Sequence, residues 1–225
     1  MCVFPKIQYV DLFIPLRNGP ENELPSSVKG MFKVLQNRCV VDENFLDGIH
    51  TINELEAHIF SLIDRYPENG VSLETIFHLI EIWGGRTGRR LYCDQEFNWL
   101  VIEPLYNKLI SYFRAIDHID DQVLVHAALA VNSFYNAVHE VGYKGMAVAF
   151  ITKHSRFWMH RNLPNNMLPI YDSTFAEKVM QKGTTAYYRH LLPFWRGMVA
   201  KAEKEHVSLT SLERQLFQHF QNTNL

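Results

Sequence analysis

The residues able to do chemistry gather between Ile151 and Lys178, in I-T-K-H-S-R-F-W-M-H-R-N-L-P-N-N-M-L-P-I-Y-D-S-T-F-A-E-K. Two of them stand out. Lys153 follows the apolar run Met146–Ile151, which places its amine at the edge of a core. Burial penalises the charged form of an amine, and a neutral amine is a nucleophile that forms a Schiff base with a carbonyl or a sugar C1. Read blandly, it is a solvated lysine at a helix end. Asp172 sits in L-P-I-Y-D-S-T-F, where the pre-proline geometry delivers a carboxylate to the start of the next helix. Free N–H groups and the helix dipole favour negative charge there; the same pattern also describes an ordinary N-cap. His154, Arg156, Trp158, His160 and Arg161 add stacking surfaces and phosphate-grade donors. His154 and His160 have no third partner that would make a metal site. Neither a metal nor a cofactor is indicated.

A second polar cluster is G-R-T-G-R-R, Gly85 to Arg90. Glycines let a backbone approach an anion, and Arg86, Arg89 and Arg90 could grip phosphates. The G-K-[ST] ending of a phosphate-binding loop is missing and a helix precedes the glycines. A basic turn at the surface explains the cluster equally well. His118, Asp120, Asp121 and His126 match no helical metal spacing and read as a charged helix start.

Charge is unevenly spread. The net value is −2, yet Tyr143 to Lys201 carries nine basic and two acidic residues, a local +7. That points to an anionic partner or to a solvated positive face. No apolar run approaches the roughly 20 residues of a membrane span, so no membrane partner is expected. Three distant cysteines without a C-x-x-C pair suggest a reducing, cytoplasmic setting.

The scaffold reads as mostly α. Residues 1–50, broken by prolines after Phe4, Ile14, Gly19 and Leu24, read as an irregular arm. Residues 51–225 read as a single all-α domain, alternatively two helical lobes around a cleft. Thr51 with Glu54 is a capping-box pattern, and Ser72 opens a second helix that ends at Gly84-Gly85. Asp94 is expected to cap a helix to about Ile116, with Pro104 as a kink or break. Asp120 to Val141 is a long helix stopped by Gly142. Gly145–Lys153 reads as a buried half-helix. Asp172 or Ser173 opens a short helix to Gln181. Thr184–Glu205 reads as a long helix kinked at Pro193, and Ser208 caps a last amphipathic helix.

Taken together, the stretch M-A-V-A-F-I-T-K, H-S-R-F-W-M-H, N-L-P-N-N, L-P-I-Y-D-S resembles the core of the helix-hairpin-helix DNA glycosylases, particularly the 8-oxoguanine glycosylase fold. That family places a lysine 19 residues before an aspartate, as Lys153 and Asp172 stand here. Bacterial proteins of that fold, of unknown function, are similar also around W-G-G-R-T-G-R (Trp83–Arg89) and L-E-R-Q-L-F (Leu212–Phe217). The family's glycine-rich hairpin turn is replaced here by A-V-A-F-I-T. The resemblance implies a helix-hairpin-helix glycosylase-like helical bundle and DNA base excision, with β-lyase activity following from the lysine. Lys153 would attack C1′ of a flipped nucleotide. Asp172 would stabilise the oxocarbenium ion and orient the nucleophile. Arg86, Arg89, Arg156 and Arg161 would hold backbone phosphates. The alternative is a non-enzymatic nucleic-acid-binding or protein-interaction module on the same fold.

Overall fold

The computed structural model describes Leu24 and residues 48–84, 98–143, 146–183 and 188–222. Among the described residues there are eight α-helices, two short 3-10 turns and no strand. The expected mostly-α class holds. No helix there is long and apolar enough to cross a membrane. Most of the expected arm, together with Asp94, lies outside the described residues; Leu24 is buried and its N–H donates to the His50 carbonyl at 2.6 Å.

The described residues fall into two compact units, with the boundary at Pro104 inside a helix. The smaller contains helix α1 (Ile52–Arg65) packed on α2 (Leu73–Trp83). Thr51 starts α1 as the sequence predicts. Its hydroxyl accepts from Glu54 N at 3.2 Å, and the Glu54 carboxylate returns to Thr51 N at 2.8 Å. Each bond removes one of the helix's unsatisfied donors. The backbone bonds hold the Glu54 carboxyl below its ordinary range. Leu55, Ile59, Leu62 and Ile63 are the buried stripe of α1, and Phe77 of α2 meets Trp99 at 5.4 Å between ring centres.

Helix α3 (Trp99–Arg114) runs through Pro104 without ending. The larger unit continues with α4 (Asp121–Glu140), α5 (Val148–Met159), α6 (Ser173–Lys178), α7 (Leu191–Glu205) and α8 (Leu209–Asn222). Helix α4 packs against α5 and α7, while α8 packs against α6 and α7. Asp120 caps α4 by accepting from Val123 N at 2.7 Å. Gly142, at φ 87°, lets the chain turn back so that Tyr143 N reaches the Val138 carbonyl at 2.9 Å.

Two expectations change. Helix α7 begins only at Leu191, so Pro193 stands in its first turn and is no kink; a proline is tolerated there because its missing N–H would have had no helical acceptor. The buried half-helix ending at Lys153 becomes a 12-residue helix running on to Met159. Ten of its residues are buried, polar ones included. Helix α5 is therefore an interior helix. The core of the same unit also holds Phe134, Val138, Tyr171, Phe194 and Trp195, each 4% exposed or less, and a large apolar side chain so buried contributes about 1.5–3 kcal/mol.

Candidate active site

An interior helix with seven consecutive polar or aromatic positions, Thr152 to Trp158, needs partners for its polar atoms inside the protein, and several of these tie α5 to its neighbours. Thr152 donates to the Ala149 carbonyl at 3.0 Å and accepts from Tyr171 N at 3.1 Å. Arg156 Nε donates to Glu213 Oε2 on α8 at 3.0 Å, with both side chains at most 1% exposed. Trp158 Nε1 donates to the Tyr106 hydroxyl at 2.7 Å, and that oxygen lies 2.7 Å from His154 Nδ1.

The segment entering Asp172 is pinned residue by residue. Leu168 N donates to Met159 Sδ at 3.5 Å, the Pro169 carbonyl accepts from Trp195 Nε1 at 2.8 Å, and Ile170 N donates to Glu213 Oε1 at 2.6 Å. Tyr171 N takes Thr152 as above. Residues 167–171 are all buried, so each backbone group would be costly to leave unpaired. Asp172 then caps α6 through Oδ1 alone, which accepts from Thr174 N at 2.9 Å and Phe175 N at 3.2 Å. Its Oδ2 accepts no hydrogen bond among the described residues.

These bonds bring the two principal candidates to neighbouring elements. The Thr152–Tyr171 bond joins α5 to the extended segment one residue before Lys153 and one residue before Asp172. Lys153 is in mid-helix, 6% exposed, with its ammonium 4.7 Å from the centre of the Phe150 ring. It is not a helix-end lysine emerging from the core. Asp172 is half-buried and fulfils the predicted N-cap role.

The other sequence candidates divide. His154, Arg156 and Trp158 were expected to meet DNA. They are 0%, 0% and 1% exposed and bonded to protein groups, so in this structure they are interior supports. Arg114 lies 5.6 Å over the Trp158 ring. The reason is that α5 has no solvent face, so spacing along it does not sort donors outward. His160 is half-buried at the C-terminal cap of α5, and Arg161 is exposed. Arg86, Arg89 and Arg90 lie outside the described residues.

Sequence reasoning missed Glu213, placed among the apolar residues of α8 and read as part of a recurring L-E-R pattern only. Burial pushes its carboxyl above the ordinary range, against the pull of Arg156 and the Ile170 N–H, and the charge on Asp172 pushes the same way as burial. A buried ion pair of this kind is expensive to desolvate.

Elsewhere, His118 Nδ1 lies 2.6 Å from Asp117 and its Nε2 lies 3.4 Å from Asp120, while Arg196 grips Asp121 with two bonds of 2.6 and 2.7 Å. No group of three or more ligands able to hold a metal occurs among the described residues. A cavity of about 620 Å³ opens between Asp117, His118, Asn166, Glu203 and His206; neither Lys153 nor Asp172 lines it. No family model, curated protein or solved structure matches the chain.

Proposed function

We propose that the chain excises bases from DNA, with Lys153 as nucleophile and Asp172 as the carboxylate partner. The observation that carries this reading is the Thr152–Tyr171 hydrogen bond of 3.1 Å, which ties together the two elements bearing the pair. Support also comes from the half-used Asp172 carboxylate: Oδ1 is held by the α6 N-terminus, and Oδ2 is left to take a proton or face a cation. In this reading the Lys153 amine bonds to C1′ as the C1′–N bond breaks. The base departs with the bonding pair, and the proton lost by the amine passes through Asp172 Oδ2 to the departing base. Sugar ring opening then gives a Schiff base, from which β-elimination follows.

Borohydride reduction on abasic or lesion-bearing duplex is expected to trap a covalent protein–DNA complex, and Lys153→Gln is expected to abolish it. A lesion panel that yields no trapped complex with the intact chain sinks the excision reading. The burial of Lys153 favours a second reading, a non-enzymatic nucleic-acid-binding or protein-interaction module in which the lysine is structural. Salt-sensitive DNA binding without trapping would support the binding form of that reading; no DNA binding at low salt would leave protein interaction.

A further inference from the structure

We infer that Glu213, held by Arg156, is the positioning residue for Asp172: it sets the register of the segment that carries the carboxylate. This rests on the excision reading for its consequence in chemistry, though not for its geometry. Four backbone groups between Leu168 and Tyr171 are each met by a side chain from a helix. Three of those partners are neutral: a thioether, an indole and a hydroxyl. Glu213 alone brings a charged acceptor, and its bond to Ile170 N is the shortest of the four at 2.6 Å. Charge-assisted bonds are the stronger kind, so this contact dominates the placing of Ile170.

Asp172 lies two residues further along, in extended backbone at φ −106°, ψ −173°. In an extended chain a slip of one residue turns every side chain to the other face. A register held at Ile170 is therefore a register held at Asp172. The charge on Asp172 is felt at Glu213, which places the two carboxylates within electrostatic reach.

The need for a buried ion pair follows. Apolar residues of similar size at 156 and 213 would fasten α5 to α8 at least as well, because a buried pair often gains nothing over them. They could not accept from Ile170 N. Arg156 makes a carboxylate tolerable at a position 1% exposed, and the carboxylate fixes the segment.

Two double variants separate fastening from positioning. Arg156→Met with Glu213→Gln removes the ion pair and keeps an acceptor for Ile170 N; Arg156→Met with Glu213→Leu removes both. Amide hydrogen exchange at Thr174 and Phe175 reports directly on the Asp172 Oδ1 bonds. The leucine pair is expected to lose protection there by about tenfold or more relative to the glutamine pair, as the loss of one buried bond requires, and to trap abasic DNA at least about tenfold less. The leucine pair should also melt lower than the glutamine pair, because the buried Ile170 N–H is left without its acceptor. Equal protection at Thr174 and Phe175 in the two variants overturns the inference.

If the leucine pair does not fold, replacing the Ile170 amide by an ester deletes the donor and keeps every side chain. Loss of protection at both residues supports positioning, and unchanged protection overturns it. If the intact chain traps no DNA, the excision reading fails, while the exchange contrast still decides the role of Glu213.

Discussion

At the scale of single residues, the most informative group is a buried carboxylate pulled one way by burial and the other by Arg156 and the Ile170 N–H. Glu213 is ionisable, buried and held above its ordinary range chiefly by desolvation. Its folded state keeps a proton to higher pH than its unfolded state, whose value is about 4.3. Between the two values the folded chain binds more protons, so stability must fall as pH rises through that window. The contribution is fully present below the unfolded value and is lost as pH passes the folded one. Glu213→Gln removes the titration and leaves an offset from the weakened contact with Arg156. Denaturant melts across acid to neutral pH are thus expected to give a wild-type-minus-variant difference that declines as pH rises from about 4.3. A flat or rising difference would mean that the Arg156 charge outweighs burial.

At the scale of elements, Asp172 holds two roles that substitution can separate. As a cap it needs only an acceptor at Oδ1; as a catalytic carboxylate it needs charge and a free Oδ2. Asp172→Asn keeps the acceptor and is expected to melt within about 0.5 kcal/mol of wild type, whereas Asp172→Ala should cost about 1 kcal/mol. Trapping should fall sharply in both. Full trapping by the asparagine variant would reduce Asp172 to a cap.

What was legible in the sequence was local. Thr51, Ser72, Asp172 and Ser208 read as helix starts, and each accepts a backbone N–H there, because a cap is decided within about four residues. The burial of α5 was not legible. Lys153, His154 and Arg156 are buried because parts of the chain distant in sequence, Tyr106, Glu213 and the segment before Asp172 among them, pack on α5, and no spacing along α5 records that. Pro193 was misread for a related reason: the residues before it, and not the proline, decide where the helix starts. Glu213 drew no reading of its own, since its partners, Arg156 and Ile170, are 57 and 43 residues away in sequence.

For the whole molecule, the folded chain spends much of the charge that made the basic third conspicuous. Of its nine cations, Arg156 is neutralised in the interior by Glu213, Arg196 is gripped by Asp121, Lys201 pairs with Glu205, and Lys153 is buried. Arg161, Lys182 and Arg189 remain exposed among the described residues, with Lys178 half-exposed beside Glu177. Among the described residues the basic third therefore presents about three outward cations; its ninth, Lys144, lies outside them. Each neutralised phosphate lowers the slope of log K against log salt by about 0.9 on duplex DNA, so these cations account for a slope near −3 and no steeper. Arg161→Ala should make the measured slope shallower by about 1 and weaken binding equally across sequences. A slope well beyond −3 that collapses on joint replacement of Arg86, Arg89 and Arg90 would assign the remaining phosphate contacts to those arginines. A slope indifferent to Arg161 would remove the turn that follows α5 from the DNA surface.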